Sequence, residues 1–162
     1  MVNNDNDHPL FSFAIVADTH LTRNEERLSF DGNDTYGSKL AATYEDLVAR
    51  VHAMKPDFVV HLGDITDPVP VSSEFDGSAQ VFHKASEVFS MPYYLVHGNQ
   101  DVGEKIHPAL PKINDKGSIT TRAIEQYEQH FGKQRYSFEH GGCLFLVINT
   151  MLMNSGLEEE EE

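Results

Sequence analysis

Short apolar runs alternate along the chain with longer segments in which apolar residues recur every three or four positions. The runs have strand length and predict β-strands at residues 11–17, 58–62 and 93–96. The segments after the first two strands predict amphipathic helices, one through Leu40, Tyr44, Leu47, Val48 and Val51 and the other through Phe75, Ala79, Phe82 and Phe89. Strands that alternate with helices indicate a mainly parallel sheet covered by helices, which is an α/β fold.

The pattern changes towards the C-terminus, where it predicts a helix over residues 120–130 and then a β-hairpin. Residues 136–139 and 143–148 are the two predicted strands. Gly141 and Gly142 lie between them, and a Gly-Gly pair is typical of a tight hairpin turn. The α/β fold is therefore expected to end in an antiparallel hairpin.

Composition along the chain predicts three regions. Residues 1–9 are polar and are interpreted as a disordered lead. Residues 10–156 are expected to form one domain, because no internal boundary or repeat interrupts them. Residues 157–162 are either a solvated acidic tail or the start of a helix that has been cut short.

The charge of the chain narrows the classes of function. Twelve basic residues stand against 26 acidic ones, which gives a formal net charge of −14. Nucleic-acid binding needs a basic surface, so the charge disfavours a nucleic-acid partner. An acidic protein that acts on anionic substrates usually needs a metal ion to reverse the local field.

Cysteine content and hydropathy exclude further classes. The single cysteine, Cys143, cannot form an internal disulfide or a cysteine-cluster zinc site, and we interpret it as a packing residue of a buried strand. No apolar run approaches the roughly 20 residues of a membrane-spanning helix. A secretory signal begins with positively charged residues, whereas the first residues of this chain carry no Lys or Arg. Together these features favour a cytoplasmic location without a membrane partner.

Three polar clusters follow the three predicted parallel strands. They are Asp18-x-His20, Gly63-Asp64-x-x-Asp67 and Gly98-Asn99-Gln100-Asp101. Functional groups of open α/β sheets gather at the carboxyl ends of strands, so neighbouring strands would bring the clusters into one pocket. A carboxylate such as Asp64 can bridge two cations about 3.5–4 Å apart. The competing interpretation is that Asp18 and Asp64 cap helices and that Asn99 forms a simple turn.

The three clusters, in this order, resemble the calcineurin-like metallophosphoesterase superfamily. Its pattern is Asp-x-His, then Gly-Asp-x-x-Asp, then Gly-Asn-His-Asp or Gly-Asn-His-Glu. The resemblance covers the chain from Phe11 to about Gly156. It implies a four-layer α/β/β/α sandwich, of which this chain would form half, with a mainly parallel sheet and a terminal hairpin.

The resemblance also implies a role for each matching residue. Asp18 and His20 would bind the first metal ion, Asp64 would bridge the two ions and Asn99 would bind the second. Asp67 would either have a structural role or support a metal ligand from behind. The implied cofactor is a pair of divalent ions, drawn from Mn, Fe, Zn or Mg.

Two departures from the family pattern bear on activity. Gln100 replaces the catalytic histidine, and its amide can donate a hydrogen bond but cannot supply a proton near neutral pH. Asp101 holds the position that orients that histidine. No histidine follows Thr150, although the family has further histidine ligands there. We therefore expect an incomplete domain whose missing C-terminal half is a partner, and an apolar face that makes the isolated chain self-associate. The alternative is a natural, degenerate member of the family.

The sequence thus predicts a hydrolase of phosphoric esters that uses a metal-bound hydroxide. The substrate would be a phosphorylated small molecule or a phosphoprotein. One alternative is a non-catalytic, phosphoesterase-like binding domain or inactive fragment. Another is an α/β enzyme with a phosphoaspartate intermediate, which is disfavoured because Asp18-Thr19-His20 lacks the paired acids of that class. Outside the clusters, His61 is interpreted as a satisfied residue of the core or of a sheet face, and His97 as a surface residue, with a place in the lining of the pocket as its alternative.

Overall fold

Three parallel strands form the central sheet of the protein. A computed structural model describes residues 10–28, 35–105 and 117–161. The sheet contains β1 (Phe13–Val16), β2 (Phe58–His61) and β3 (Tyr93–Leu95), in the order β1-β2-β3. The register pairs Ile15 with Val60 and Val60 with Tyr94. The strands that precede the three polar clusters are therefore adjacent in the sheet, which is the condition for the clusters to meet.

Helices connect the strands and follow them. They are α1 (Gly37–Met54), α2 (Phe75–Ser86), the short α3 (Asn99–Val102) and α4 (Thr121–Phe131). α1 ends at Lys55, which adopts a left-handed conformation before Pro56, a usual way to end a helix. α4 begins at Thr120, whose side-chain oxygen accepts a hydrogen bond of 3.1 Å from the backbone N–H of Ala123.

The antiparallel hairpin consists of β4 (Tyr136–His140) and β5 (Cys143–Val147). It contacts the sheet through aromatic rings: Tyr94 and Phe138 stack with ring centroids 3.5 Å apart. The hydroxyl of Tyr136 donates a 2.8 Å hydrogen bond to the carbonyl of Leu95. The predicted class, an α/β fold with a mainly parallel sheet and a terminal hairpin, is confirmed.

The two faces of the sheet have different neighbours, because successive strand residues point to opposite sides. Val16 and Val59 belong to the same core cluster as residues of α1, α2 and α4. Phe58, on the opposite face, contacts the hairpin rings of Phe138 and Phe145. The sheet thus lies between a helical layer and the hairpin.

Two predictions about burial are wrong. The strands at 11–17 and 143–148 were expected to be buried, but Phe13 is 42% and Ile15 59% exposed. On β5 the alternate residues point away from the aromatic contacts with the sheet, which leaves Leu144, Leu146 and Ile148 between 58% and 68% exposed. Cys143, the first residue of β5, is also exposed and is not a packing residue.

Other predicted boundaries differ in detail. Phe89 was expected to lie on the second helix but follows its end at Ser86. Residues 99–102, predicted only as a strand-end cluster, form α3. At the C-terminus, a short 3₁₀ helix spans Glu158–Glu160. The predicted disordered lead at 1–9 lies outside the described residues, as do 29–34, 106–116 and 162. No helix within the described ranges has the length and hydropathy to cross a membrane.

Candidate metal centre

The loops after β1 and β2 run side by side beyond the ends of the strands. Three backbone hydrogen bonds of 2.9–3.0 Å join them, from the N–H groups of Asp18, His20 and Leu21 to carbonyls of Gly63, Asp64 and Ile65. These bonds extend the parallel pairing of the sheet into the loops. They bring the first polar cluster beside the second.

Asp18, His20 and Asp64 converge at this edge of the sheet. One ligand atom from each lies within 4.8 Å of the others. His20 Nε2 is 3.7 Å from Asp64 Oδ2 and 4.0 Å from Asp18 Oδ1. The side chain of Asp18 is 72% exposed and that of Asp64 17%, so the group is open to solvent on the Asp18 side.

All three residues adopt a backbone conformation that non-glycine residues rarely use. Their φ angles are 55° at Asp18, 43° at His20 and 52° at Asp64. A non-glycine residue in the left-handed region costs of the order of 1–3 kcal/mol and persists only where its surroundings enforce it. Such strain concentrates at functional sites. Its coincidence with the three converging side chains therefore marks this edge as a candidate site.

The third cluster approaches Asp64 through its backbone. Gln100 N–H, in the first turn of α3, donates a 3.1 Å hydrogen bond to Asp64 Oδ1. Gly98 allows this approach, because a Cβ at that position would collide with the carboxylate of Asp64. Asn99 Nδ2 donates to Glu104 Oε1 at 2.8 Å. The amide nitrogen is thereby engaged, which leaves Asn99 Oδ1 as the atom able to meet a cation.

The sequence model of the calcineurin-like phosphoesterase family matches residues 11–159. The chain belongs to this family. The family is one of phosphoesterases and generally uses a dinuclear metal site. The expected family is therefore confirmed.

Individual relatives match over part of their own length. The DNA double-strand break repair protein Mre11 of Methanococcus maripaludis is 31% identical over 106 residues, which are 65% of this chain and 25% of that protein. The serine/threonine-protein phosphatase CPPED1 of Rattus norvegicus is 27% identical over 127 residues, 76% of this chain and 36% of that protein. Purple acid phosphatase PPD1 from yellow lupin seeds has the same fold, with a TM-score of 0.51 and 17% identity over 95% of this chain and 27% of that one. The chain thus spans only about a quarter to a third of the length of these proteins.

The donor set of the converging group suits the metal site of this phosphoesterase family. Carboxylate and imidazole ligands bind divalent first-row metals, and carboxylates also suit Mg. The structure therefore fits a divalent cation at Asp18, His20 and Asp64.

Asp101, the last residue of the third cluster, is fully buried. Its carboxylate accepts hydrogen bonds from the backbone N–H groups of Gly98 at 2.7 Å and Ile65 at 3.0 Å. Burial raises the pKa of Asp101 to about 7, against the opposing effect of these backbone donors. In this structure its carboxylate joins the second cluster to the third.

Asp67 anchors the loop between β1 and α1. Arg27 Nη2 lies 2.8 Å from Asp67 Oδ2, and the Tyr36 hydroxyl is 3.5 Å from Asp67 Oδ1. These contacts agree with the structural role that the resemblance implied. No contact in the described part of the chain links Asp67 to His20 or Asp64.

Two interpretations of the polar residues are wrong. Asp18 and Asp64 cap no helix, since the residues before the described helices are Tyr36, Glu74, Gly98 and Thr120. His97 is not a surface residue: it is 6% exposed and packs edge-on against the Tyr127 ring. The apolar positions around it in sequence, Leu95 and Val96, could have indicated its burial.

Glu104 is a residue that the sequence did not single out. Its contact with the Asn99 amide depends on a turn after α3 that no spacing rule predicts. The prediction that His61 is a satisfied residue of the sheet is confirmed, since the side chain is fully buried and both ring nitrogens are hydrogen-bonded.

Proposed function

We propose that the protein hydrolyses phosphoric esters at a dinuclear metal centre formed at the ends of β1, β2 and β3. The observation that carries the proposal is the convergence of Asp18, His20 and Asp64, all three in the left-handed conformation. Membership of a phosphoesterase family gives this convergence its chemical meaning.

Each residue has a role in the proposed centre. Asp18 and His20 hold the first cation, Asp64 lies between the two and Asn99 offers its carbonyl oxygen to the second. Two divalent cations bound in this way clamp a phosphate group and lower the pKa of the attacking water. The 17% exposure of the Asp64 side chain, against 72% for Asp18, suits a bridging position at the inner end of the site.

The substrate in this proposal is a phosphorylated small molecule or a phosphoprotein. Gln100 lies next to the centre, where it can donate an amide hydrogen bond to a phosphoryl oxygen but no proton to a leaving group. General acid catalysis contributes roughly 10²–10⁴ in rate. The protein should therefore favour esters with good leaving groups, such as aryl phosphates, over alkyl phosphates.

The deciding experiment is the stoichiometry of Mn²⁺ binding to the purified protein, with Asp64→Asn as the test variant. About two ions per chain, lost in this variant, would support the proposal. Asp46→Asn is the matched control, because Asp46 is exposed on α1 and pairs with Arg50 at 2.8 Å. It should bind Mn²⁺ like the unaltered protein. One ion or none in the unaltered protein would contradict a dinuclear centre on this chain.

A second candidate is a phosphoesterase-like domain that binds phosphate groups without turnover. The identity of residue 100 favours it, because the Gln100 amide can hold a phosphoryl oxygen but cannot supply a proton to a leaving group. Gln100→His in the Mn²⁺-loaded protein separates the two. Turnover of alkyl phosphates that rises in this variant supports an enzyme, and binding without turnover in both forms supports the binding domain.

A further inference from the structure

His61 lies directly beneath the two loops that carry the converging ligands. It is the last residue of β2, and its side chain is completely buried. Its Nδ1 accepts a 3.1 Å hydrogen bond from the backbone N–H of Gly63. Its Nε2 lies 3.0 Å from the hydroxyl oxygen of Thr19. One imidazole therefore contacts the loop after β1 and the loop after β2.

The direction of these hydrogen bonds follows from the partners. Thr19 Oγ1 donates its only proton to the carbonyl of Ile65 at 2.9 Å, so it accepts from His61 Nε2. His61 is thus the neutral tautomer with its proton on Nε2. The result is a continuous relay from the Gly63 N–H through His61 and Thr19 to the Ile65 carbonyl.

The position of Thr19 gives this relay its importance. Thr19 stands between Asp18 and His20, the two left-handed residues of the first loop. Strained conformations persist only when neighbouring contacts enforce them. The backbone bonds of Asp18 and His20 to the second loop fix the main chain on either side, and the Thr19 hydroxyl fixes the residue between them.

We propose that His61 is a positioning residue of the centre, which acts through Thr19 to hold both ligand loops in the geometry that binds metal. This inference rests on the proposed function, because it concerns the same centre. His61 itself offers no atom to a cation, since both ring nitrogens are engaged within the protein. Residues that orient metal ligands typically contribute 10–100-fold to metal affinity.

The first test removes the hydroxyl of the relay and leaves every proposed ligand in place. Thr19→Val should weaken Mn²⁺ binding roughly 10–100-fold, whereas Thr19→Ser, which keeps the hydroxyl, should stay close to the unaltered protein. Electron paramagnetic resonance of free Mn²⁺ measures the affinity. Ser86→Ala is the matched control, because it removes a hydroxyl that bonds to Tyr44 in the helical layer at 2.8 Å.

The second test addresses His61 and separates positioning from folding. In His61→Gln the amide can donate where Nε2 does, and in His61→Phe both hydrogen bonds are lost. We expect Gln to retain more Mn²⁺ affinity than Phe. Thr19→Val should add little to His61→Phe, because residues that act as one unit are not additive. Equal affinity in Thr19→Val and the unaltered protein would overturn the inference and leave the proposed centre intact.

A metal-free measurement keeps the inference distinct from the proposed function. Amide hydrogen exchange at Asp18, His20 and Gly63 should be faster in Thr19→Val than in the unaltered protein. In Ser86→Ala the exchange rates of these three amides should not change. Nitrogen NMR of His61 should show a proton on Nε2. Absence of Mn²⁺ binding to the unaltered protein would contradict the proposed function. Unchanged amide exchange in Thr19→Val would contradict the positioning role of His61 and Thr19.

Discussion

At the scale of single residues, the centre combines the right side chains with backbone conformations that those residues normally avoid. The order of the three clusters in sequence predicted Asp18, His20 and Asp64 as one group, because each follows a strand of the same sheet. The left-handed conformation of all three was not predictable, since no local signal distinguishes a strained Asp from an ordinary loop Asp. It depends on hydrogen bonds between loops more than 40 residues apart in sequence.

Because the backbone at Asp18 is strained, replacing this proposed metal ligand with glycine should make the metal-free protein more stable. Asp18→Gly should raise the free energy of unfolding of the metal-free protein by about 1 kcal/mol, because glycine adopts the left-handed region without strain. Asp46→Gly, in the middle of α1, should lower it by roughly 0.5–1 kcal/mol. Urea unfolding followed by circular dichroism measures both. A loss of stability in Asp18→Gly would show that the conformation at this residue is not strained.

Buried histidines give a second prediction at this scale. Burial lowers the pKa of both His61 and His97 to about 4, from an ordinary value of 6.5. The unfolded chain then binds more protons than the folded one between pH 4 and 6.5, so both residues make stability fall as the pH falls through this range. Asp101 acts in the opposite direction, because its pKa is raised to about 7 and its proton is held more tightly in the folded protein.

His97→Phe isolates one of these contributions. Each proton taken up on unfolding changes stability by about 1.4 kcal/mol per pH unit. Unfolding free energies measured in chelator at several pH values between 4 and 6.5 should therefore show a shallower slope in His97→Phe. The ring nitrogens of His97 lack well-formed hydrogen bonds within the described residues, so this variant should also fold at neutral pH. An unchanged slope would mean that His97 is protonated in the folded protein.

At the scale of elements, the periodicity of apolar residues predicted the strands, the longer helices and the hairpin. What it missed has physical reasons. α3 is only four residues long, and its Asp101 accepts both a local hydrogen bond from the Gly98 N–H and a tertiary one from the Ile65 N–H, so it depends on tertiary contacts. The apolar runs of β1 and β5 suggested burial on both faces, but a sequence records which residues are apolar and not what packs against them.

The start of α4 offers a local test of element stability. Thr120→Ala removes the side-chain acceptor of the Ala123 N–H and should lower the free energy of unfolding by about 1 kcal/mol. Thr121→Ala, one residue inside the helix, should be close to neutral or stabilising, since alanine is the best helix former. Thermal unfolding of both variants measures the difference. Equal changes in the free energy of unfolding for the two substitutions would contradict a capping role of Thr120.

At the scale of the whole molecule, apolar side chains remain exposed on two strands. Phe13 and Ile15 lie on β1, and Leu144, Leu146 and Ile148 occupy alternate positions of the last strand and its end, with exposures between 42% and 68%. Side chains two positions apart share one face of a strand, so the last three form a contiguous apolar surface. Exposed apolar surfaces of this kind mark contacts with other protein segments.

We therefore expect the isolated chain to self-associate through the exposed face of β5. Leu146→Lys places a charge at the centre of that face and should shift the chain towards monomer in sedimentation velocity experiments, while leaving the aromatic contacts of Phe138 and Phe145 with the sheet intact. Met54→Lys is the matched control, because Met54 is an apolar residue that is 77% exposed at the end of α1. It should sediment like the unaltered chain. If the unaltered chain sediments as a monomer at all concentrations, this expectation is contradicted and the exposed face of β5 remains in contact with solvent.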